Sequence, residues 1–125
     1  LYLALAVNVV VICVYSGANP DFSSDELAYQ LGESKASVMI VHPDVLDTAL
    51  AAAHTYGISP ERVMLFDGKS PSTNVPNHLT VGVLVERGLC TPDPTFVERR
   101  LRPGEAKTVL AFLSFSSGTT GKPKV

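Results

Sequence analysis

The chain of 125 residues carries 10 basic and 12 acidic side chains, a net charge of −2 and a pI near 5.9. That balance leaves no electrostatic footprint for nucleic acid or for an anionic membrane. The length suits one modest core rather than two substantial domains, and a mean hydropathy of +0.22 with 18% charged residues points to apolar faces that meet further protein.

Residues 1–7, rich in Leu and Ala, read as the end of a helix. Residues 9–14 form a β-branched run without polar alternation, the pattern of a strand buried on both faces of a parallel sheet. Cys13 lies inside that run and is expected to be a buried free thiol. Cys13 and Cys90 share no metal-ligand spacing, and both suit a reducing, cytoplasmic setting. The apolar opening is short for a membrane span, has no basic leader and carries Asn8 in its middle.

A turn through Gly17 and Pro20 breaks the strand. Ser23-Ser24-Asp25-Glu26 then reads as a capping box, with Ser23 as N-cap, Glu26 at N3, and Phe22 and Leu27 at the flanking hydrophobic-staple positions. Leu27 and Leu31 share one face of the helix that follows. Residues 38–41 give a second strand. Pro43 suits the first turn of the next helix, whose apolar stripe is Val45, Leu46, Ala49, Leu50, Ala53 and Tyr56, with Gly57 as its stop. Residues 63–66 give a third strand. Strand, helix, strand, helix, strand in this order predicts an α/β fold, a parallel sheet with flanking helices joined by right-handed crossovers.

Residues 67–76 turn to Gly, Ser, Pro, Asn and Thr and read as an exposed loop. A short helix is predicted over residues 78–87, ended by Gly88, with Thr91-Pro92-Asp93-Pro94 as a further breaker. The mildly basic residues 98–102 are interleaved with Glu98 and flanked by Glu105, the pattern of a solvated face. His42, His54 and His78 share no ligand spacing, so no metal site is assigned, and no Ser–His–Asp arrangement emerges. Residues 108–115 are read as the last strand.

That strand runs into the most informative stretch, Ser116-Ser117-Gly118-Thr119-Thr120-Gly121-Lys122-Pro123-Lys124. Glycines let backbone N–H groups crowd a ligand, hydroxyls add donors and two ammonium groups add charge, which together suit a polyphosphate. It is not a Walker loop. Ser116 occupies the position of the required first glycine, and Pro123 stands where the magnesium-binding hydroxyl belongs. Pro123 also disfavours helix at Lys122. The dinucleotide fingerprint Gly-x-Gly-x-x-Gly is absent as well.

The run resembles the phosphate-binding signature of the adenylate-forming (AMP-binding) enzymes, the superfamily of acyl-CoA synthetases, coumarate–CoA ligase-like enzymes, luciferases and peptide-synthetase adenylation domains. Ser16-Gly17-Ala18-Asn19-Pro20 followed by Asp25 to Leu31 is similar to an earlier segment of the CoA ligases. The resemblance implies that residues 1–125 are a partial N-terminal domain of that fold, expected to be cut at both ends. It implies an ATP-dependent acid–thiol ligase that forms acyl-AMP and transfers the acyl group to coenzyme A.

Ser116, Ser117, Thr119 and Thr120 would then hold the ATP phosphates, Gly118 and Gly121 would allow close approach, and Lys124 would add a charge. Lys122 falls at a variable position of the signature. The family's magnesium ligand, ribose-binding aspartate and catalytic lysine lie downstream of this sequence, so no catalytic residue is assigned and the chain alone is expected to be inactive. A cytoplasmic setting is expected; a peroxisomal address would sit at a C-terminus outside the sequence. A non-catalytic nucleotide-binding or interaction module is the alternative from another class. Peptide-synthetase and luciferase-like enzymes are the alternatives within the family.

Overall fold

The computed structural model describes residues 13–66 and 78–116; the expected helix at 1–7, most of the strand at 9–14 and the loop at 67–76 lie outside them. The described residues divide into two units, one drawn from residues 18–66 and 78–93, the other from residues 13–17 and 94–116.

In the first unit, helix α1 (Ser24–Ser34) starts where its sequence says it should. The Ser23 backbone N–H donates to Glu26 Oε2 at 2.9 Å, the Ser23 hydroxyl donates to the same oxygen at 2.8 Å, and the Glu26 N–H reaches Ser23 Oγ at 3.4 Å. The box satisfies N–H groups that the first helical turn cannot satisfy itself. The helix closes on Lys35, at φ 51° and ψ 42°, whose N–H bonds back to Gly32 and Leu31 carbonyls.

Strand β2 (Met39–Val41) follows, then a 3-10 turn at Pro43–Val45 and helix α2 (Leu46–Tyr56). The break before α2 refines the expectation of one continuous helix from Pro43. His42 caps the 3-10 turn, its Nδ1 accepting the Asp44 N–H at 3.3 Å. Gly57 ends α2 at φ 94°, donating to the Ala53 carbonyl, as a left-handed C-cap should. A second 3-10 turn, Pro60–Arg62, leads into strand β3 (Val63–Leu65).

β2 and β3 are parallel, with Met39 opposite Val63 and Val41 opposite Leu65. Leu31 from α1, Leu46, Ala49, Ala52 and Ala53 from α2, and Val63 and Leu65 from β3 form the buried core. Burial of each large aliphatic side chain contributes about 1.5–3 kcal/mol. Alanine at 49, 52 and 53 lets α2 lie close to its neighbours; Ala49 and Ala52 are completely buried. Tyr56, expected in the stripe, is instead 37% exposed, its ring lying alongside Gly32 of α1.

After β3 the sequence reading needs correction. Residues 78–80 are not helical: Leu79 and Thr80 run alongside β3, with a Leu65 N–H to Leu79 carbonyl bond of 3.0 Å and a parallel bridge between Leu65 and Thr80. His78 Nδ1 lies 3.1 Å from the Val63 carbonyl oxygen, which calls for the Nδ1–H tautomer. Helix α3 (Val81–Cys90) begins only after Thr80, whose hydroxyl accepts the Val83 N–H. It also runs through Gly88 rather than stopping there. Thr91 ends it, its N–H and hydroxyl both donating to the Arg87 carbonyl, because Pro92 drives Thr91 out of the helical region.

In the second unit, strand β1 (Tyr15–Ser16) pairs in parallel with β4 (Phe112–Leu113). β4 is shorter than the strand read over residues 108–115, and β1 begins just after the range read as the first strand, residues 9–14, of which only Cys13 and Val14 are described. Cys13 and Val14 precede the pairing, and Cys13 is exposed rather than buried. Thr108 and Val109 close a 3-10 turn at Glu105–Lys107, both N–H groups donating to the Glu105 carbonyl, so they cannot extend β4. Glu98 and Arg100 form an exposed pair at 3.5 Å, the solvated face expected of that segment.

These helix ends, and the glycine inside α3, lead to stability predictions. Hydrogen bonds from the Ser23 backbone N–H, and then from its hydroxyl, hold the Glu26 pKa below the ordinary carboxylate range. A lowered folded-state pKa stabilises above the unfolded pKa of about 4.3 and the contribution is lost as pH falls through the lower folded value. Thermal melts should therefore place wild type above Glu26→Gln at neutral pH, with the gap closing in acid; Ser23→Ala should cost about 1 kcal/mol. In urea titrations, Gly57→Ala should destabilise by roughly 1–2 kcal/mol because of its left-handed φ. Gly88→Ala, in a helix interior with nothing within 4 Å of a new Cβ, should stabilise by up to about 1 kcal/mol.

Candidate functional site

The β1–β4 ladder opens with the Tyr15 N–H on the Ala111 carbonyl at 2.9 Å. Because the strands are parallel, their chains leave the pair at one shared carboxyl edge: Gly17 after β1, and Ser114, Phe115 and Ser116 after β4. Open parallel sheets bind ligands at this edge.

Exposure alternates along the segment that leaves β4. Phe112, Ser114 and Ser116 are exposed, whereas Leu113 and Phe115 are half-buried. This period of two sets Ser114 and Ser116 on the face of Phe112. Tyr15, directly opposite Phe112, stacks on it edge-to-face with ring centroids 5.9 Å apart and 80° between planes. Such a pair adds about 0.5–1.5 kcal/mol beyond its buried area. The Tyr15 ring also extends forward along its own strand. A Cβ placed on Gly17 would lie 3.3 Å from the Tyr15 hydroxyl oxygen, tighter than an ordinary contact. The phenol thus occupies the space beside residue 17, and glycine leaves that space open.

Of the residues the sequence assigns to phosphate binding, Ser116 is described and stands exposed at this edge. Ser117, Gly118, Thr119, Thr120, Gly121 and Lys124 lie outside the described residues. The three histidines belong to the other unit: His42 caps a 3-10 turn, His54 lies in the last turn of α2 and His78 sits against β3. Among the described residues, no group of three or more His, Cys, Asp or Glu side chains stands together as metal ligands. Nor is any helix among them long and apolar enough to cross a membrane. Tyr15 was not singled out from the sequence. Its available signal was an aromatic residue two places before a glycine at a strand end, which places ring and glycine on one face.

The family model for the AMP-binding enzyme matches residues 9–125, a span that takes in β1, β4 and the whole of residues 116–124. The chain belongs to the AMP-binding enzyme family. Its α/β composition, helices with parallel strand pairs, fits part of an AMP-binding domain. Over 111 residues it is 33% identical to phenylacetyl-CoA ligase epaB of Aspergillus niger, covering 89% of this chain and 20% of that ligase. Acyl-CoA ligase azaF, from another strain of Aspergillus niger, is also 33% identical over 111 residues, with the same coverage of 89% and 20%. The AMP-binding chain therefore spans about a fifth of the length of the curated relatives it matches, 20% in each case.

Proposed function

We propose that residues 1–125 form the early part of the N-terminal AMP-binding domain of an ATP-dependent acid–thiol ligase. Such an enzyme joins a carboxylate to ATP, releases pyrophosphate, and passes the acyl group from acyl-AMP to coenzyme A. The observation that carries the reading is the sequence run Ser116–Lys124, rich in hydroxyls, glycines and ammonium groups, which follows a strand of a parallel pair within a family match. The names of the relatives, a phenylacetyl-CoA ligase and an acyl-CoA ligase, support a carboxylic acid and coenzyme A as the co-substrates.

The chemistry explains why such a loop is needed. A carboxylate is already ionised near neutral pH, so adenylation requires no general base to create the nucleophile. The barrier lies in bringing two anions together and in stabilising the departing pyrophosphate. In this reading Ser116, Ser117, Thr119 and Thr120 donate to the β- and γ-phosphates. Gly118 and Gly121 allow the backbone to approach, and Lys124 neutralises charge as a point cation. Magnesium would be held by residues downstream of this sequence, and the two free cysteines suit a reducing cytoplasmic compartment.

Two outcomes are expected. In a protein that extends this sequence to the length of its relatives, Lys124→Ala should lower carboxylate-dependent ATP–pyrophosphate exchange by roughly 10- to 100-fold while leaving the melting temperature unchanged. Wild-type exchange in that variant would remove Lys124 from the phosphate site. Residues 1–125 alone should release no AMP from ATP and a carboxylic acid, and measurable turnover would place the reaction at a different site.

A further inference from the structure

Residues 96–102 stand apart from the rest of the described chain. All of them are exposed, and none lies in a helix, strand or turn. The backbone groups of residues 96–101 make no hydrogen bond with any described residue. Within this stretch Arg99 and Arg100 are adjacent. The Arg100 guanidinium reaches Glu98 at 3.5 Å, yet 85% of its side chain is exposed, and a pair so open to water holds it weakly. The other arginines are placed differently. Arg62 closes a 3-10 turn, its N–H on the Ser59 carbonyl, and is followed by the fully buried Val63. Arg87 lies inside α3. Arg102 is followed by Pro103, whose ring removes the N–H and fixes the backbone on the leaving side of that bond.

We propose that Arg99-Arg100 is a proteolytic modification site, cut on the carboxyl side of either arginine by an endoprotease with an acidic, arginine-selecting pocket. Such an enzyme pairs with the backbone of an extended substrate segment while the arginine side chain fills its pocket. Residues 96–101 offer both without any unfolding, since their amides are unpaired and the guanidinium already stands in water. At Arg62 and Arg87 a turn or helix must open first, and at Arg62 the core as well. The reaction is hydrolysis of one amide bond. Water supplies the oxygen that makes the arginine a terminal carboxylate, and the nitrogen of the next residue leaves as a terminal amine. The cut precedes β4, so β4 and its partner β1 end on separate pieces.

The test is limited digestion of the 125-residue chain by an arginine-specific endoprotease under native conditions. Mass spectrometry identifies the new termini, and thermal melts check the fold. Every arginine of the chain lies among the described residues, so all the competing bonds are compared. New N-termini at Arg100 or Leu101 should appear first, roughly tenfold or more ahead of those at Val63 and Gly88, whose exposure waits on opening of the fold. Arg99→Gln combined with Arg100→Gln should lengthen the lifetime of the intact chain by a similar factor and leave the melting temperature unchanged. Cleavage after Arg62 or Arg87 as early as after Arg100 would mean that cutting follows unfolding, and would overturn the site. An unchanged lifetime in the double variant would overturn it as well.

Discussion

The hydrogen-bonded register between β1 and β4, Tyr15 against Phe112 and Ser16 against Leu113, joins segments from opposite ends of the chain at one edge. A parallel pair cannot be closed by a hairpin; it needs a long connection that returns the chain to its starting end. Here the connection is a whole unit of helices and strands, residues 18–93. Everything at the edge inherits its position from that register. A slip by one residue would turn Phe112, Ser114 and Ser116 to the opposite face and remove Tyr15 from its aromatic partner.

The two units divide the physical work. The helical unit holds the continuous core, where three alanines of α2 allow close packing and Val63 is fully enclosed. Its helices are stopped and started by strong local devices: the Ser23–Glu26 box, the left-handed Gly57 and the Thr91 cap. Among its described residues, the β1–β4 unit has short strands and no fully buried side chain, and it carries the glycine, serines and phenol of the candidate site. Residues that bind ligands are commonly found on such sheet edges.

Features governed by local chemistry could be read from the residues alone. The capping box, the Gly57 stop, the core positions of Leu31, Leu46 and Ala49, and the parallel pairing of β2 with β3 all appear where sequence reasoning puts them. The misplaced element boundaries after β3 trace to competition from hydrogen bonds that sequence patterns do not reveal. Thr108 and Val109 have strand-like side chains but are taken by the Glu105 carbonyl. Leu79 and Thr80 look helical yet pair with β3, and Gly88 stays helical because a stronger terminator lies at Thr91 and Pro92. The site was half legible. The Ser116–Lys124 run is contiguous and could be read from the sequence as suited to a polyphosphate, whereas the setting of Tyr15 depends on a strand almost the whole chain away.

The split of one unit across the sequence also sets an order of assembly. Residues 18–93 are contiguous, so their core can close as soon as that stretch has left the ribosome. β1, although made earlier, must wait for Phe112 and Leu113 before it has a partner. Among the described strand pairings this one closes the longest loop, and contacts of such high sequence separation form slowly as a rule. During that interval the unpaired strand, with Tyr15 and Ser16 on it, is an open template for another chain, so a nascent protein stalled before residue 112 is the form most exposed to aggregation.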